Sequence, residues 1–478
     1  MKRWGFTPGP DEGSELVNQS QTWFDSGVSR LEPAMSPLFP DLPEQPVPPA
    51  SPGGAPRLRR PNRDQMILRP GSLDDMLPDD HQVRLVEDFV ARLDLRPLRD
   101  AIKSREGTPG HPAVDPAVLV TLWLYATVDG VGSARELARL CELSLPYQWI
   151  CGGVSLNHHT LSDARLAYAA WLDDTLTTSL AALLESGAIK LQTVAQDGLR
   201  VRASAGGGSF RRRPTLEQRL AEAEARVAAL KAELGDDTGA SRRRTEAARA
   251  RAAAERLARL RAAVAALPEA EKRAVRNKKK AEQARVSTTD AEASVMKMPD
   301  GGFRPAYNTQ LAAETEYGLI VGDDVSTTGG DQPSLEPMVD QVKERTGRTP
   351  ETWLADGGFF NRDTTTRLSE AGITLYCPPH KPKGDRAPGE AMDTDTPAVA
   401  ALRARMASDA GKAIYRQRAR WIEWVNAGFR QRDWRQVPVR GLAKVRTLVK
   451  WQALTHNMIR IMRTPELRAA FPDRLRLA

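Results

Sequence analysis

The chain has 478 residues, 41% of them hydrophobic, so its length suits two to four domains with sizeable buried cores. It has no run of 18 apolar residues, no apolar leader before a small-residue cleavage site and only three cysteines, which predicts a cytoplasmic protein without a membrane anchor or a disulfide framework. The formal net charge is +8, which makes nucleic acid the leading class of partner.

The positive charge is concentrated in two segments. Lys and Arg outnumber Asp and Glu by 20 to 10 between Arg211 and Lys280, and by 18 to 5 from Ala401 to Ala478. Because the whole chain carries +8, the other 330 residues carry a net charge of −15. We therefore expect these two basic segments to contact a nucleic-acid backbone.

The first 60 residues are unlike the rest of the chain. Nine of the 24 residues from Pro33 to Pro56 are proline. Proline lacks a backbone donor and interrupts both helices and sheet interiors. We therefore predict a disordered tail over residues 1–60.

Residues 61–185 have apolar side chains at helical spacing, which predicts an all-α N-terminal domain. Predicted helices begin at Pro116, at the capping-box sequence Ser133–Glu136 and at Thr160. The last two, with Gly152-Gly153 between them, fit either a DNA-reading helix-turn-helix or ordinary helical packing.

The apolar pattern changes after residue 186. Leu191–Val194 and Leu199–Ala203 are two predicted short strands on either side of Asp197-Gly198. A long segment rich in Ala, Arg, Glu and Leu follows, and the Gly/Asp-rich stretch Gly235–Ser241 divides it. We predict a basic helical hairpin or short coiled coil over residues 209–285.

Strands and helices alternate beyond the hairpin, which predicts a sheet flanked by helices. The predicted strands are Tyr307–Ala313, Leu319–Val325, Thr352–Ala355 and Ile373–Cys377, and the predicted helices are Leu335–Arg345, Asn361–Ala371, Ala413–Asn426 and a C-terminal helix from Leu442.

Three acids stand at chemically suggestive positions. Asp197 and Asp356 each follow a predicted strand and precede a glycine, and Glu423 lies on an otherwise basic helix. Mg²⁺ prefers such carboxylate ligands. Each acid also has an ordinary interpretation, because Asp-Gly is a common turn dipeptide and Glu423 can pair with Arg420. Four further acids compete as ligands but are more typical of loops and turns: Asp290, Asp323, Asp324 and Asp331.

The joint order of these features favours the metal-ligand interpretation over the ordinary ones. An RNase H-like mixed sheet has this order: a strand with Asp, further strands, a helix, a second strand with Asp, a helix, a strand, and finally a helix with Glu. The predicted fold class is therefore α/β (α+β overall), with the hairpin inserted and the all-α region in front.

The sequence resembles bacterial insertion-sequence transposases of the DDE class, with the helical N-terminal domain that many of them carry. The stretches that support the resemblance are Gly110–Pro116, Gly132–Leu137, Asn157–Asp163, Asp197-Gly198 with Val201–Ser204, Arg304–Gln310, Ala355–Gly358, Tyr415–Glu423 and Arg440–Asn457.

The resemblance implies a catalytic triad of Asp197, Asp356 and Glu423, which would hold two Mg²⁺ ions, with Mn²⁺ as a substitute. Tyr415, Arg418, Glu423 and Arg430 resemble a Tyr–Arg–Glu–Lys signature in which the Tyr stacks on a displaced base and the cations hold phosphates. Glu423 follows Tyr415 by eight residues instead of the usual seven, and Arg430 replaces the usual Lys. The other expected DNA contacts are Arg440, Arg211, Arg212 and Arg213.

The implied function is binding of terminal inverted repeats, cleavage of the transposon ends and strand transfer into double-stranded target DNA, by a homodimer in the DNA complex. The catalytic domain is predicted over residues 186–463, with a C-terminal tail at 464–478. A non-catalytic DNA-binding protein is the second interpretation, and a structural coiled-coil adaptor is the third. The intact triad together with Arg430 favours the enzyme.

Overall fold

The computed structural model describes residues 71–105, 112–233, 240–380, 387 and 389–476. Within these ranges, side chains are described except at residues 233–246. The predicted tail at residues 1–60 lies outside the described residues. Residues 70–478 cluster as one compact unit. The predicted domain boundaries at 61, 185 and 463 remain predictions.

The N-terminal region is helical where it is described. Ser133 caps one helix by accepting a hydrogen bond from the Glu136 amide, as the capping box predicts. Asn157 caps another by accepting from the Thr160 amide, so this helix begins at His158 rather than at the predicted Thr160. The helices are Gln82–Ala91, Arg96–Asp100, Pro116–Val128, Ala134–Leu143, Leu145–Cys151, His158–Ala167 and Ala169–Glu185.

The central sheet is built around strand β1, Thr193–Arg202. The sequence predicts two short strands here with a break at Asp197-Gly198, and this prediction is wrong: β1 is continuous, with Asp197 opposite Leu311 and Gly198 opposite Gln310. Antiparallel pairing with a long neighbouring strand outweighs the turn preference of the Asp-Gly dipeptide.

That neighbour is β5, Phe303–Glu314, whose other edge pairs with both β4, Ser294–Lys297, and β6, Ile320–Ser326. On its opposite edge, β1 pairs in parallel with β7, Thr352–Leu354, which pairs in parallel with β8, Thr374–Tyr376. The order β6-β5-β1-β7-β8 makes a curled mixed sheet. It confirms the α+β class and is consistent with the predicted RNase H-like domain.

Helices follow the sheet strands much as predicted. Leu335–Thr346 precedes β7, and Arg362–Glu370 separates β7 from β8. The C-terminal part contains Pro397–Ala407, Asp409–Arg418, a π-helical turn at Ala419–Glu423, Trp424–Gln431, Leu442–Arg463 and Pro465–Ala470.

The predicted basic hairpin is present between β1 and β5. Its helices are Arg213–Glu233, Ala240–Ala265 and Leu267–Arg276. A two-stranded sheet formed by Phe210–Arg211 (β2) and Val286–Ser287 (β3) closes its base. The insertion has its own small core, formed by Leu216, Ala223, Leu257, Leu260, Ala263, Leu267 and Val286.

The long helix Leu442–Arg463 joins the helical region to the sheet. Its Trp451 indole donates to the Arg165 carbonyl at 2.9 Å, and Asn457 bonds both the amide and the carbonyl of Ile320, on β6. Both regions contribute to one continuous hydrophobic core. The predicted C-terminal tail also packs, since Phe471 stacks on Phe89 with ring centroids 5.5 Å apart.

Candidate active site

Asp197 lies in the middle of β1 with its side chain only 18% exposed. Its Oδ1 accepts from the Gly198 amide at 2.9 Å and pairs with Arg418 Nη2 at 3.0 Å. Its Oδ2 accepts from Asn426 Nδ2 at 2.9 Å. The first predicted acid is thus held from both sides by one helical segment of the C-terminal region.

Asp356 follows β7 and caps the short 3₁₀ turn Gly357–Phe359, where it accepts from the Gly358 amide at 2.8 Å. Because Ala195 and Leu354 are partners in the parallel pair β1–β7, Asp197 and Asp356 each lie two residues beyond a paired position. Neighbouring parallel strands therefore bring the two predicted aspartates to the same end of the sheet.

Arg418 lies between the two aspartates. Its Nη2 is 3.0 Å from Asp197 Oδ1 and 3.9 Å from Asp356 Oδ2. Burial raises the pKa of Asp197, the charges of Asp356 and Asp331 raise it further, and Arg418 opposes the rise. The guanidinium is thus a counter-ion for the largely buried Asp197 carboxylate and lies near that of Asp356.

A further acid, Asp331, lies close enough for its charge to contribute to the raised pKa of Asp197. Asp331 Oδ1 accepts from Asn308 Nδ2 and from Gln310 Nε2, both at 2.7 Å. The sequence groups it with ordinary turn acids, and the other three of that group do have structural partners. Asp290 accepts from the Tyr307 hydroxyl, Asp323 pairs with Arg345, and Asp324 pairs with Arg446.

Glu423 ends the π-helical turn Ala419–Glu423, and its side chain is exposed. No described hydrogen bond or ion pair links it to Asp197 or Asp356. Within the described residues, no group of three or more His, Cys, Asp or Glu side chains is arranged to hold a metal ion. The structure therefore brings two of the three predicted acids together, and the role of Glu423 stays a prediction.

The donor atoms around the pair suit a hard divalent cation. Carboxylate and amide oxygens are the ligands that Mg²⁺ and Mn²⁺ use in proteins. Two buried amide oxygens here, Asn308 Oδ1 and Asn426 Oδ1, have no hydrogen-bond partner in the described part of the chain. Buried polar atoms normally have a hydrogen-bond partner. These two amide oxygens lack one among the described residues, so they are available to a bound cation.

Tyr415 and Cys377 border the aspartates. Tyr415 lies one helical turn before Arg418, and burial raises the pKa of its hydroxyl. The thiol of the buried Cys377 donates to the Asp356 carbonyl at 2.9 Å. Tyr415 is therefore near the predicted site, as the resemblance implies.

The predicted DNA-contact arginines differ in their surroundings. Arg212, Arg430 and Arg440 are exposed, although Arg440 also donates to the Ser204 carbonyl at 3.2 Å. Arg211 donates to the Phe210 carbonyl at 3.0 Å. Arg213 pairs with Glu271 at 2.8 Å and with Glu217 at 3.4 Å, so the insertion itself neutralises its charge.

Sequence interpretation missed Asn426, and it treated Asp331 as a competing ligand more typical of a loop. Asn426 lies eight residues after Arg418, and both contact Asp197 because the π-helical turn between them keeps the two positions on one face. Asp331 lies in a loop between strand β6 and the next helix. A polar run along β5, which contains Asn308 and Gln310, was the available signal for a site beneath that loop.

Comparison with known proteins identifies the chain. The Transposase domain (DUF772) matches residues 71–166, and the Transposase DDE domain matches residues 276–458. No curated protein and no solved structure matches the chain. The α+β fold and the two matches, which together span more than half of the chain, define a transposase. The chain belongs to the DDE-class insertion-sequence transposases.

The DDE match begins at residue 276, at the end of the inserted hairpin. It therefore contains Asp356 and Glu423, while Asp197 precedes it. Because β1 pairs with β5 and β7, which both lie in the matched segment, Asp197 lies next to that segment in the fold.

Proposed function

We propose that this transposase binds the terminal inverted repeats of its insertion sequence and catalyses metal-dependent DNA cleavage and strand transfer. The observation that carries the proposal is the meeting of Asp197 and Asp356 at one end of the sheet, on either side of Arg418. Membership of the DDE family supports a divalent cation in the reaction, because these transposases generally use one.

In the proposed site, Asp197 and Asp356 hold the cation and Glu423 completes the triad. The family resemblance favours two Mg²⁺ ions, with Mn²⁺ as a substitute. Such ions, when bound, activate the attacking oxygen and stabilise the leaving oxygen of a phosphodiester. Glu423 is supported by its position on the segment that carries Arg418 and Asn426, both of which contact Asp197.

The proposed reaction has two steps. Hydrolysis at each transposon end frees a 3′-hydroxyl group, which then attacks a phosphodiester of the target DNA. Both steps are in-line displacements at phosphorus, so one set of carboxylates serves both. In this scheme the Arg418 guanidinium turns from the aspartates towards the scissile phosphate, and Tyr415 stacks on a displaced base.

Affinity for DNA would come from the basic insertion and the basic C-terminal segment. Arg212, Arg430 and Arg440 expose their side chains, while Arg211 and Arg213 also make contacts within the protein. Phosphate contacts of this kind release counterions, so binding should weaken steeply with salt. We further propose that two copies act together in the DNA complex, each holding one transposon end.

Replacement of Asp197 tests the proposal directly. We expect Asp197→Asn to abolish strand cleavage of a terminal-repeat duplex in Mg²⁺, because the amide removes a charged ligand while it keeps the size of the side chain. Binding of the same duplex should stay within about twofold of the parent protein, since the basic segments are untouched. Gel-shift and cleavage assays on the full chain measure both quantities.

The matched control is Asp340→Asn, which makes the same chemical change on an exposed helical residue. It should leave both binding and cleavage unchanged. Cleavage in Mg²⁺ by the Asp197→Asn protein would refute the assignment of the active site.

A further inference from the structure

A network of buried side-chain amides lies on β1 and β5, next to the strand positions of Asp197 and Gly198. Its members are polar but at most 1% exposed: Gln196, Asn308 and Gln310. Gln196 Nε2 donates to the Ser334 carbonyl at 3.0 Å, and Gln196 Oε1 accepts from the Trp353 indole at 3.1 Å. Buried polar groups in a sheet are costly unless they are satisfied, so such a network needs a reason to be there.

The network converges on Asp331. Asn308 and Gln310 both donate to Asp331 Oδ1 at 2.7 Å. From the other side, Arg200 secures the preceding loop by donating to the Gly329 carbonyl at 2.7 Å. One oxygen of the Asp331 carboxylate is thus fixed by two amides, and the position of the other follows from it.

The glycines after the two catalytic aspartates allow Asp331 to approach. A Cβ atom on Gly198 would overlap Asp331 Oδ1 and would lie 2.8 Å from Gln310 Nε2. A Cβ atom on Gly358 would lie 3.0 Å from Asp356 Oδ1 and 3.6 Å from Asp331 Oδ2. The carboxylates of Asp331 and Asp356 therefore border the same small space, which a side chain on either glycine would obstruct.

A separate observation indicates that this space suits a cation. Asn308 is fully buried, its Oδ1 has no hydrogen-bond partner in the described part of the chain, and that atom lies 2.9 Å from the position of a Gly198 Cβ. Asn426, 4% exposed, has an equally unpartnered Oδ1 beside Asp197. The Arg418 guanidinium beside Asp197 already pairs with that carboxylate.

We propose that Asp331 is a further carboxylate ligand of the divalent-cation site, acting with Asp197 and Asp356. This inference rests on the proposed function, because it assigns one more ligand to the same site. A merely structural Asp331 would need only its acceptor oxygen for Asn308 and Gln310, and its charge would be dispensable.

That distinction defines the experiment. In Asp331→Asn, the amide oxygen can still accept both hydrogen bonds, while the negative charge is lost. We expect Mn²⁺ affinity of the full-length protein, measured without DNA by electron paramagnetic resonance of free Mn²⁺, to fall by about tenfold or more. The thermal unfolding midpoint without metal should stay close to that of the parent protein. Asp340→Asn should bind Mn²⁺ as the parent protein does.

The parallel measurement on Asp197→Asn separates the two proposals. Loss of Mn²⁺ binding in Asp197→Asn but full binding in Asp331→Asn would overturn the assignment of Asp331 and leave the proposed function intact. Full Mn²⁺ binding in Asp197→Asn would instead refute the proposed site itself. If Asp331→Asn fails to fold, Asp331→Ser replaces it, since the hydroxyl oxygen is a smaller acceptor, and the same loss of Mn²⁺ affinity is expected.

Discussion

At the scale of single residues, the site depends on close approaches that only glycine permits. Gly198 lies mid-strand in β1, where a glycine ordinarily weakens a sheet. Here its missing side chain makes room for the Asp331 carboxylate and the amides that hold it. The Asp-Gly dipeptide, which in sequence suggests a turn, is therefore a packing requirement of the site.

Gly198→Ala should accordingly damage both stability and activity. The added methyl group has no room beside Asp331, Gln310 and Asn308, and overpacking of this kind costs about 1–3 kcal/mol. We expect a lower free energy of unfolding in urea and a loss of cleavage. Gly206→Ala is the matched control, because a Cβ atom there meets nothing within 4 Å, and an equal effect of the two changes would contradict the argument.

At the scale of elements, the two basic segments use their charge differently. In the insertion, Arg213 joins the helices Arg213–Glu233 and Leu267–Arg276 through its ion pair with Glu271, and Arg261 pairs with Glu224. In the helix Trp424–Gln431, Arg430 is exposed and has no ion pair among the described residues. A count of charges in the sequence treats all these arginines as equal.

Arg430→Gln should therefore weaken DNA binding more than Arg213→Gln does. An unpaired arginine that contacts one phosphate contributes about one unit to the slope of log affinity against log salt. We expect Arg430→Gln to reduce that slope by about 1 for specific and random duplexes alike, as measured by fluorescence anisotropy. A larger effect of Arg213→Gln would show that the insertion arginine is the phosphate contact.

At the scale of the whole molecule, a buried ionic network ties the helical region, the sheet and the C-terminal helix together. Arg345 pairs with Asp323 of β6 at 2.9 Å and with Asp173 of the helix Ala169–Glu185 at 2.7 Å. Lys450 of the C-terminal helix also pairs with Asp173. Because Asp323 is buried, these cations rather than water compensate its carboxylate.

Arg345→Ala should destabilise the whole fold, since it leaves Asp323 without its closest cation. Breaking a buried pair from one side costs about 3–5 kcal/mol. Arg367→Ala removes an exposed pair with Glu336 and should cost no more than about 1 kcal/mol. Urea denaturation of both variants gives the comparison, and equal losses would contradict the structural role of the network.

Across the described part of the chain, the helices are too short or too polar to cross a membrane.

The sequence itself determined the local features: the helix periodicity, the basic hairpin, the strand before Asp356 and the order of acids that indicates an RNase H-like sheet. These follow from side-chain pattern and backbone preference, which act over a few residues.

Only the tertiary structure decided how those features meet. Antiparallel pairing with β5 made β1 continuous through Asp197-Gly198, and parallel pairing with β7 placed Asp356 beside Asp197. A loop more than a hundred residues after β1 brought Asp331 close to Gly198. The π-helical turn allows both Arg418 and Asn426 to contact Asp197, while Glu423 is exposed. Contacts between residues so distant in sequence depend on the pairing register and on the space left by missing side chains, which no local pattern encodes.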